Sequence, residues 1–148
     1  MVNGMINEVL ASKEGQLWTI PPETTVFEAI QLMAERNIGA VLVMDGPVLI
    51  GLMTERDYTR KVALKGKSSK ETRVREIVGA SPLTVTPHHT VEHCMRLMTE
   101  NRVRHLPVLR DGNIIGIVSI GDLVNWIIRA QNAAITQLEG YISGHYAV

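Results

Sequence analysis

Two short stretches constrain this chain more than anything else in it. GLMTERDY spans residues 51–58 and GIVSIGDL spans 116–123. Each runs Gly, two apolar residues, a hydroxyl residue, two further residues and an Asp. The hydroxyls, Thr54 and Ser119, lie 65 positions apart, and so do Asp57 and Asp122. The match continues outward at the same spacing: TIPPETTV (19–26) parallels TVTPHHTV (84–91), and VFEAIQLMAERNI (26–38) parallels VEHCMRLMTENRV (91–103). AVLVMDG (40–46) aligns with LPVLRDG (106–112) if the spacing slips to 66, and it returns to 65 at Gly51 and Gly116. INEVLAS (6–12) matches VREIVGA (74–80) more weakly. Such self-similarity predicts two copies of one supersecondary unit.

Each copy reads as β-α-β-β-α. Short β-prone pieces, LWTI and LTV, lead into Pro22 and Pro87. Thr25 and Thr90 are predicted N-caps of helices about a dozen residues long. Val26, Ala29, Ile30 and Met33 place an apolar stripe on the first helix, and Val91, Met95 and Met98 on the second. Two apolar strands then meet at Asp45-Gly46 and at Asp111-Gly112, Asp-Gly being a strong hairpin signal. A further helix starts at Thr54 or Ser119. The predicted fold class is therefore mixed α/β (α+β). The first unit covers 5–64, a connector 65–73, the second unit 74–130, and a helical extension and tail 131–148. The basic stretch KGKSSKETRVRE (65–76) is expected to loop over the surface. Its GKSS is not a phosphate loop, because that motif needs a Gly at position 61, which is Lys.

Composition narrows the function classes. With 148 residues, each half is small enough to bury only ~60% of its unfolded surface, so the halves are expected to share a core. The 15 basic and 15 acidic residues cancel, which argues against nucleic acid or an acidic membrane as partner. No apolar run approaches the ~20 residues of a membrane span. The N-terminal MVNGMINEVLASKEG has no secretory pattern. The single cysteine, Cys94, fits a reducing compartment, and the cytoplasm is the expected location.

The repeated turn has two readings. Hydroxyl-x-x-acid is a capping box, in which the hydroxyl accepts a backbone N–H and the acid reaches back to the cap. It also suits a nucleotide. A helix start offers free N–H groups to a phosphate, and an ionised Asp accepts two hydrogen bonds, matching the two hydroxyls of a ribose.

Together, RHLPVLRDGNIIGIVSIGDLV (104–124), GAVLVMDGPVLIGLMTERDY (39–58) and the Pro22 and Pro87 lead-ins resemble a tandem pair of cystathionine β-synthase (CBS) domains, a Bateman module. The resemblance covers about residues 5 to 130, nearly the whole chain. It implies two units packed sheet to sheet with pseudo-twofold symmetry. It also implies clefts that take AMP, ADP, ATP or NAD(H), with S-adenosylmethionine a weaker candidate. Carried over, Asp57 and Asp122 hold ribose, and Thr54 and Ser119 lie beside phosphate. Thr19, Ile20, Thr84 and Val85 at the strand entries frame the adenine, as do Ile38, Gly39 and Ala40 and Arg104, His105, Leu106 and Pro107. Arg56, with Arg60 and Lys61, is a candidate to neutralise phosphate charge, or else part of a solvated basic face. Ala40-Val41-Leu42 replaces the pattern of Leu106-Pro107-Val108, which puts equal occupancy in doubt.

Other chemistry is weaker. His88, His89, His93 and Cys94 cluster, but a third ligand does not share the face of His89 and His93, so a solvated helix start is expected and no metal site. No catalytic constellation is visible, so no enzyme is expected. Trp18 and Trp126 read as core or interface residues. In the last segment Leu123, Ile127, Ala130, Ala134 and Leu138 form a helical stripe, widened by Trp126 and Ile128. Such a surplus of apolar surface suggests a partner chain, and the family resemblance implies that the partner is a second copy, a homodimer. Two functions follow. One is an adenine-nucleotide sensor acting on a separate, unknown partner protein. The other is a constitutive dimeric interaction module with no physiological nucleotide.

Overall fold

The computed structural model describes residues 4–13, 15–79 and 81–142, the last two by backbone alone. The elements in order are α1 (Ile6–Ser12), β1 (Thr19–Ile20), α2 (Val26–Arg36), β2 (Ala40–Asp45), β3 (Val48–Thr54), α3 (Glu55–Tyr58), α4 (Val91–Asn101), β4 (His105–Arg110), β5 (Asn113–Ser119) and α5 (Ile120–Ile142). A π-helical turn, Thr59–Ala63, continues α3, and a 3-10 turn covers Val74–Glu76. The fold class is mixed α/β, as the repeat predicts. The described residues gather into two compact units. One holds those of Gly15–Thr84 and Pro107–Gly116, the other those of Met1–Glu14, Val85–Leu106 and Ile117–Val148.

In the first of these units the sheet order is β1-β2-β3. β1 runs parallel to β2, with Thr19 opposite Leu42, and β2 runs antiparallel to β3, with Ala40 opposite Thr54. The central strand buries Ala40, Val41, Leu42 and Val43 in succession. That run has no polar alternation, as a strand covered on both faces requires. Ile20, Val26, Ala29, Met33, Val41, Val43, Met53 and Val62 form the core, joined by Val74 and Ile77 from beyond the connector. In the other unit α5 packs against α4 and α1. Val91, Cys94 and Met98 are the buried face of α4, so Cys94 takes the place that the sequence pattern gave to Met95.

The helix starts follow from capping chemistry. Thr25 accepts the Glu28 N–H and Thr90 accepts the His93 N–H. Each helix ends on a left-handed residue, Asn37 or Arg102, both at φ 54. The first amides of α2 and α4 would otherwise be orphaned. They are satisfied by segments that precede the repeats. Val26 donates to Thr72 O, while Val74 and Arg75 donate back to Thr24 O and Pro22 O. In matching fashion Val91 donates to Gly4 O, while Ile6 and Asn7 donate to His89 O and Pro87 O. The weak similarity of INEVLAS to VREIVGA therefore reflects one shared role, a backbone strap across a helix start. The first forms an α-helix and the second only a 3-10 turn. The connector is not merely a surface loop: Thr72 is 5% exposed and its hydroxyl donates to Ser68 O.

The structure corrects the hairpins. Asp45 pairs with Val48, so the first turn is Gly46-Pro47, not Asp45-Gly46. Gly46 has φ 58, and a left-handed Gly followed by Pro fits a type II′ turn. Asp111 and Gly112 both have positive φ, 51 and 81, the mark of type I′. The strands thus keep the spacing of 65 throughout, from Ala40 and His105 to Thr54 and Ser119. The slip to 66 came from aligning two Asp-Gly pairs that occupy different turn positions. The piece LTV also differs from LWTI: Val85 is buried but belongs to none of the named strands.

Turn placement is testable by urea denaturation. Gly46→Ala forces a side chain into left-handed space and should cost about 1–2 kcal/mol. Asp45→Ala, at a paired strand end outside the turn, should stay within ~0.5 kcal/mol.

Candidate functional site

Both signatures are built by the same junction. A strand ends on the hydroxyl residue and the following residue opens a helix. Glu55 N–H donates to Gly39 O at 3.1 Å and Ile120 N–H donates to Arg104 O at 2.8 Å. These bonds draw the start of the preceding strand onto the helix start. In the first copy they bring Ile38, Gly39 and Ala40 beside Thr54 and Asp57, with Ala40 directly opposite Thr54. Thr19 and Ile20 lie one strand further, opposite Leu42 and Val43. In the second copy the same bond brings Arg104 to the helix start after Ser119, and His105 lies close enough to feel the charge of Asp122. Thr84 and Pro107 belong to the first-signature unit, and Val85, Arg104, His105 and Leu106 to the other.

Each hydroxyl–Asp pair closes a capping box. Thr54 N–H donates to Asp57 Oδ2 at 2.9 Å and Asp57 N–H donates to Thr54 Oγ1 at 3.1 Å. Ser119 N–H donates to Asp122 Oδ2 at 2.8 Å and Asp122 N–H donates to Ser119 Oγ at 3.1 Å. Both carboxylates also meet a lysine, and here the copies diverge. Lys61, one helical turn on, stands 3.5 Å from Asp57 Oδ1 and donates to Ile77 O at 2.8 Å. Its side chain remains 44% exposed. Lys13, at the end of α1, stands 2.7 Å from Asp122 Oδ2 and donates to Ile117 O at 2.8 Å. The Lys61 contact was legible as an i,i+4 spacing. The Lys13 contact spans 109 residues and has no local signal.

The surroundings differ as well. Asp122 lines a cavity of about 490 Å³ together with Ser12, Lys13, Asn125, Trp126 and Arg129. A cavity of about 520 Å³ in the first-signature unit is lined by Ile38, Gly39, Glu55 and Tyr58, with neither Thr54 nor Asp57 in its wall. Arg56 is exposed on α3. His105 has its pKa lowered from 6.5 by burial first, then by Lys13 and Arg104, with Asp122 opposing.

The histidine cluster serves a helix start. His89 Nδ1 accepts the Thr86 N–H at 2.8 Å, and the His89 and His93 rings stack at 4.7 Å. Cys94 is buried, and burial pushes its thiol up to about 11. Among the described residues no group of three or more His, Cys, Asp or Glu could hold a metal, and no helix is long and apolar enough to cross a membrane. Trp18 lies under the Arg36 guanidinium at 4.3 Å, and Trp126 carries a buried Nε1 with no partner among the described residues.

A family model for the CBS domain matches twice, over residues 7–64 and 74–129, and the chain belongs to that family. Among proteins, it is 39% identical over 150 residues to the CBS domain-containing protein CBSX3, mitochondrial, of Arabidopsis thaliana, covering 95% of this chain and 73% of that one. Among structures, it is similar to a protein with CBS domains from Burkholderia ambifaria, at 48% identity and TM-score 0.83, covering 86% of this chain and 96% of that one. It also resembles a hexameric CBS-CP12 protein from bloom-forming cyanobacteria, at 29% identity and TM-score 0.74, covering 84% of this chain and 68% of that one.

His105 gives a pH test. Its folded pKa lies below its unfolded value, so as pH falls through about 6.5 the unfolded chain takes up the proton first and folding loses stability down to the folded pKa. In an NMR titration His105 should show a midpoint below 6.5. Lys13→Met removes a lowering charge and should move it upward.

Proposed function

We propose that this chain is a regulatory module that binds an adenosine-containing nucleotide at its signature turns and is read by a separate protein. The observation that carries the reading is the state of the two carboxylates. The capping box engages Oδ2 of each Asp, while Oδ1 meets only the long Lys61 contact in Asp57 and no protein donor among the described contacts in Asp122. Such an oxygen is an acceptor for ribose hydroxyls. Around Asp122, Lys13 and Arg129 line the adjoining cavity and suit a phosphate. The ligand class is AMP, ADP, ATP or NAD(H), as the family resemblance implies. The Asp122 side is the better prepared of the two, because only there does the carboxylate open onto the cavity. Self-association belongs to the same reading, supported by the hexameric state named for the cyanobacterial relative. No catalytic role is proposed, and the cytoplasm remains the proposed location.

A specific observation favours a second reading. Both capping boxes are complete without ligand and both Asps already have a lysine partner, so the turns also serve as helix caps in a constitutive interaction module.

Thermal unfolding with AMP, ADP, ATP, NAD+ and NADH separates the two. A ligand at 100 times its Kd adds about 2.7 kcal/mol, a shift of several degrees. The sensor reading predicts such a shift, reduced in Asp122→Ala and less so in Asp57→Ala. The same melting curves with and without every nucleotide, for folded protein free of carried-over ligand, would leave the interaction module.

A further inference from the structure

The signature turns leave the basic connector unused. Residues 56–75, from α3 through the connector, hold eight of the 15 basic residues and two of the 15 acidic ones. The stretch carries a formal charge of eight minus two, +6, and the rest of the chain seven minus thirteen, −6. The zero net charge conceals this separation. All of the stretch lies in one compact unit.

The fold makes this stretch a surface rather than a tether. Its backbone is tied to the start of α2 and the residues before it. Val26 N–H donates to Thr72 O and Phe27 N–H to Ser69 O, while Val74 and Arg75 donate to Thr24 O and Pro22 O. Lys67 N–H donates to Val62 O, folding the chain back after the π-helical turn. A backbone held in this way loses little freedom when something binds it. Several of the cations are engaged within the unit. Lys61 reaches Asp57, Arg75 pairs with Glu23 at 2.9 Å, and Arg73 donates to Glu23 O at 2.8 Å. Lys70 stands over the Phe27 ring at 4.9 Å. Arg60, Lys65 and Lys67 are exposed and form no ion pair among the described residues. Among these three stands Leu64, 77% exposed, the highest value of any large apolar side chain described.

We propose that Arg60, Leu64, Lys65 and Lys67 form a docking surface for an acidic segment of a partner protein, one that carries an apolar side chain between its carboxylates. The proposal gives a surface to the separate protein invoked above. It rests on that reading for the existence of such a partner, not for the nucleotide. Charge and apolarity together select the occupant. Carboxylates meet the three cations, and the apolar side chain covers Leu64. The remainder of the chain, at −6, repels an acidic partner from other faces and steers it to this one. A single-stranded nucleic acid would bring bases that stack on aromatic rings, and Phe27, beside the connector, already has Lys70 over it. A membrane surface takes an amphipathic helix with a whole apolar face, and one leucine does not make a face.

The test uses the full chain and a fluorescein-labelled peptide of repeating Glu-Glu-Leu, followed by fluorescence anisotropy. The wild type should bind at low salt, and raising the salt to physiological strength should weaken binding about tenfold. Lys65→Gln with Lys67→Gln should weaken it about fivefold. Arg96→Gln with Arg110→Gln removes the same charge elsewhere and should leave affinity near that of the wild type. Leu64→Ser should weaken binding of this peptide but not of a repeating Glu-Glu-Ser peptide. No binding by the wild type, or equal losses from the two charge pairs, would overturn the surface. An unchanged affinity in Leu64→Ser would overturn the role of the leucine and with it the choice of occupant. So would tighter binding of a DNA duplex or of phosphatidylserine vesicles through the same residues. Nucleotide-induced stabilisation is measured on the same variants. If it persists while the peptide fails to bind, the surface falls and the sensor stands; the opposite result removes the sensor and keeps the surface.

Discussion

One main-chain hydrogen bond recurs at each signature, and the rest of the site depends on it. Gly39 O takes the Glu55 N–H and Arg104 O takes the Ile120 N–H. The bond ties the beginning of one strand to the end of its neighbour at the moment that neighbour becomes a helix. The chain cannot then turn without presenting the hydroxyl and the Asp of the capping box to each other. The carboxylate orientation follows: Oδ2 faces the backbone it caps, and Oδ1 faces away. The capping box thus spends one carboxylate oxygen, Oδ2, in each copy.

Two identical junctions need not make two equivalent sites. Lys61 reaches Asp57 from the same helix and is also tied to Ile77 O, so its position is set within a few residues. Lys13 reaches Asp122 from α1 and is tied to Ile117 O. Both pairs are partly exposed, so neither ion pair by itself adds much stability. Their effect is local. Lys13 lies in the wall of a cavity that also holds Arg129, and the charge facing that cavity is more positive than Asp122 alone would make it. The same lysine helps keep His105 neutral. The second signature therefore couples its carboxylate, its histidine and the end of α1, whereas the first is self-contained.

Much of this was legible in the sequence. Periodicity located α2 and α4, Thr25 and Thr90 were recognisable caps, and the hydroxyl-x-x-Asp spacing alone predicted both capping boxes. What failed was what local pattern does not encode. Asp45-Gly46 looks like Asp111-Gly112, yet Pro47 already has the φ a second turn residue needs, so the first turn moves one residue on. Lys13 and Asp122 meet across 109 residues, and nothing in either neighbourhood announces the other. Periodicity shows which α5 residues share a face but not how much of that face the fold covers: Leu123 is buried, while Leu138 on the same stripe is exposed. Burial of Leu123 leaves Val124, Ile128, Ile135 and Leu138 as the outward face.

The straps carry the last constraint. The β-α-β-β-α elements repeat every 65 residues, but the straps do not. Residues 4–7 close the start of α4, and residues 72–75 close the start of α2, 68 positions apart. Each strap precedes, in the chain, the copy whose helix it does not close. The first helix start is therefore satisfied only once the connector has been made, and the second only by the far N-terminal end of the chain. A half of this size buries too little surface to stand alone easily. Orphaned amides at its helix start would weaken it further. The interleaving of the two units thus follows from where each helix finds its first acceptor, and it makes the tandem pair, rather than the single repeat, the smallest piece in which every one of these backbone groups is satisfied.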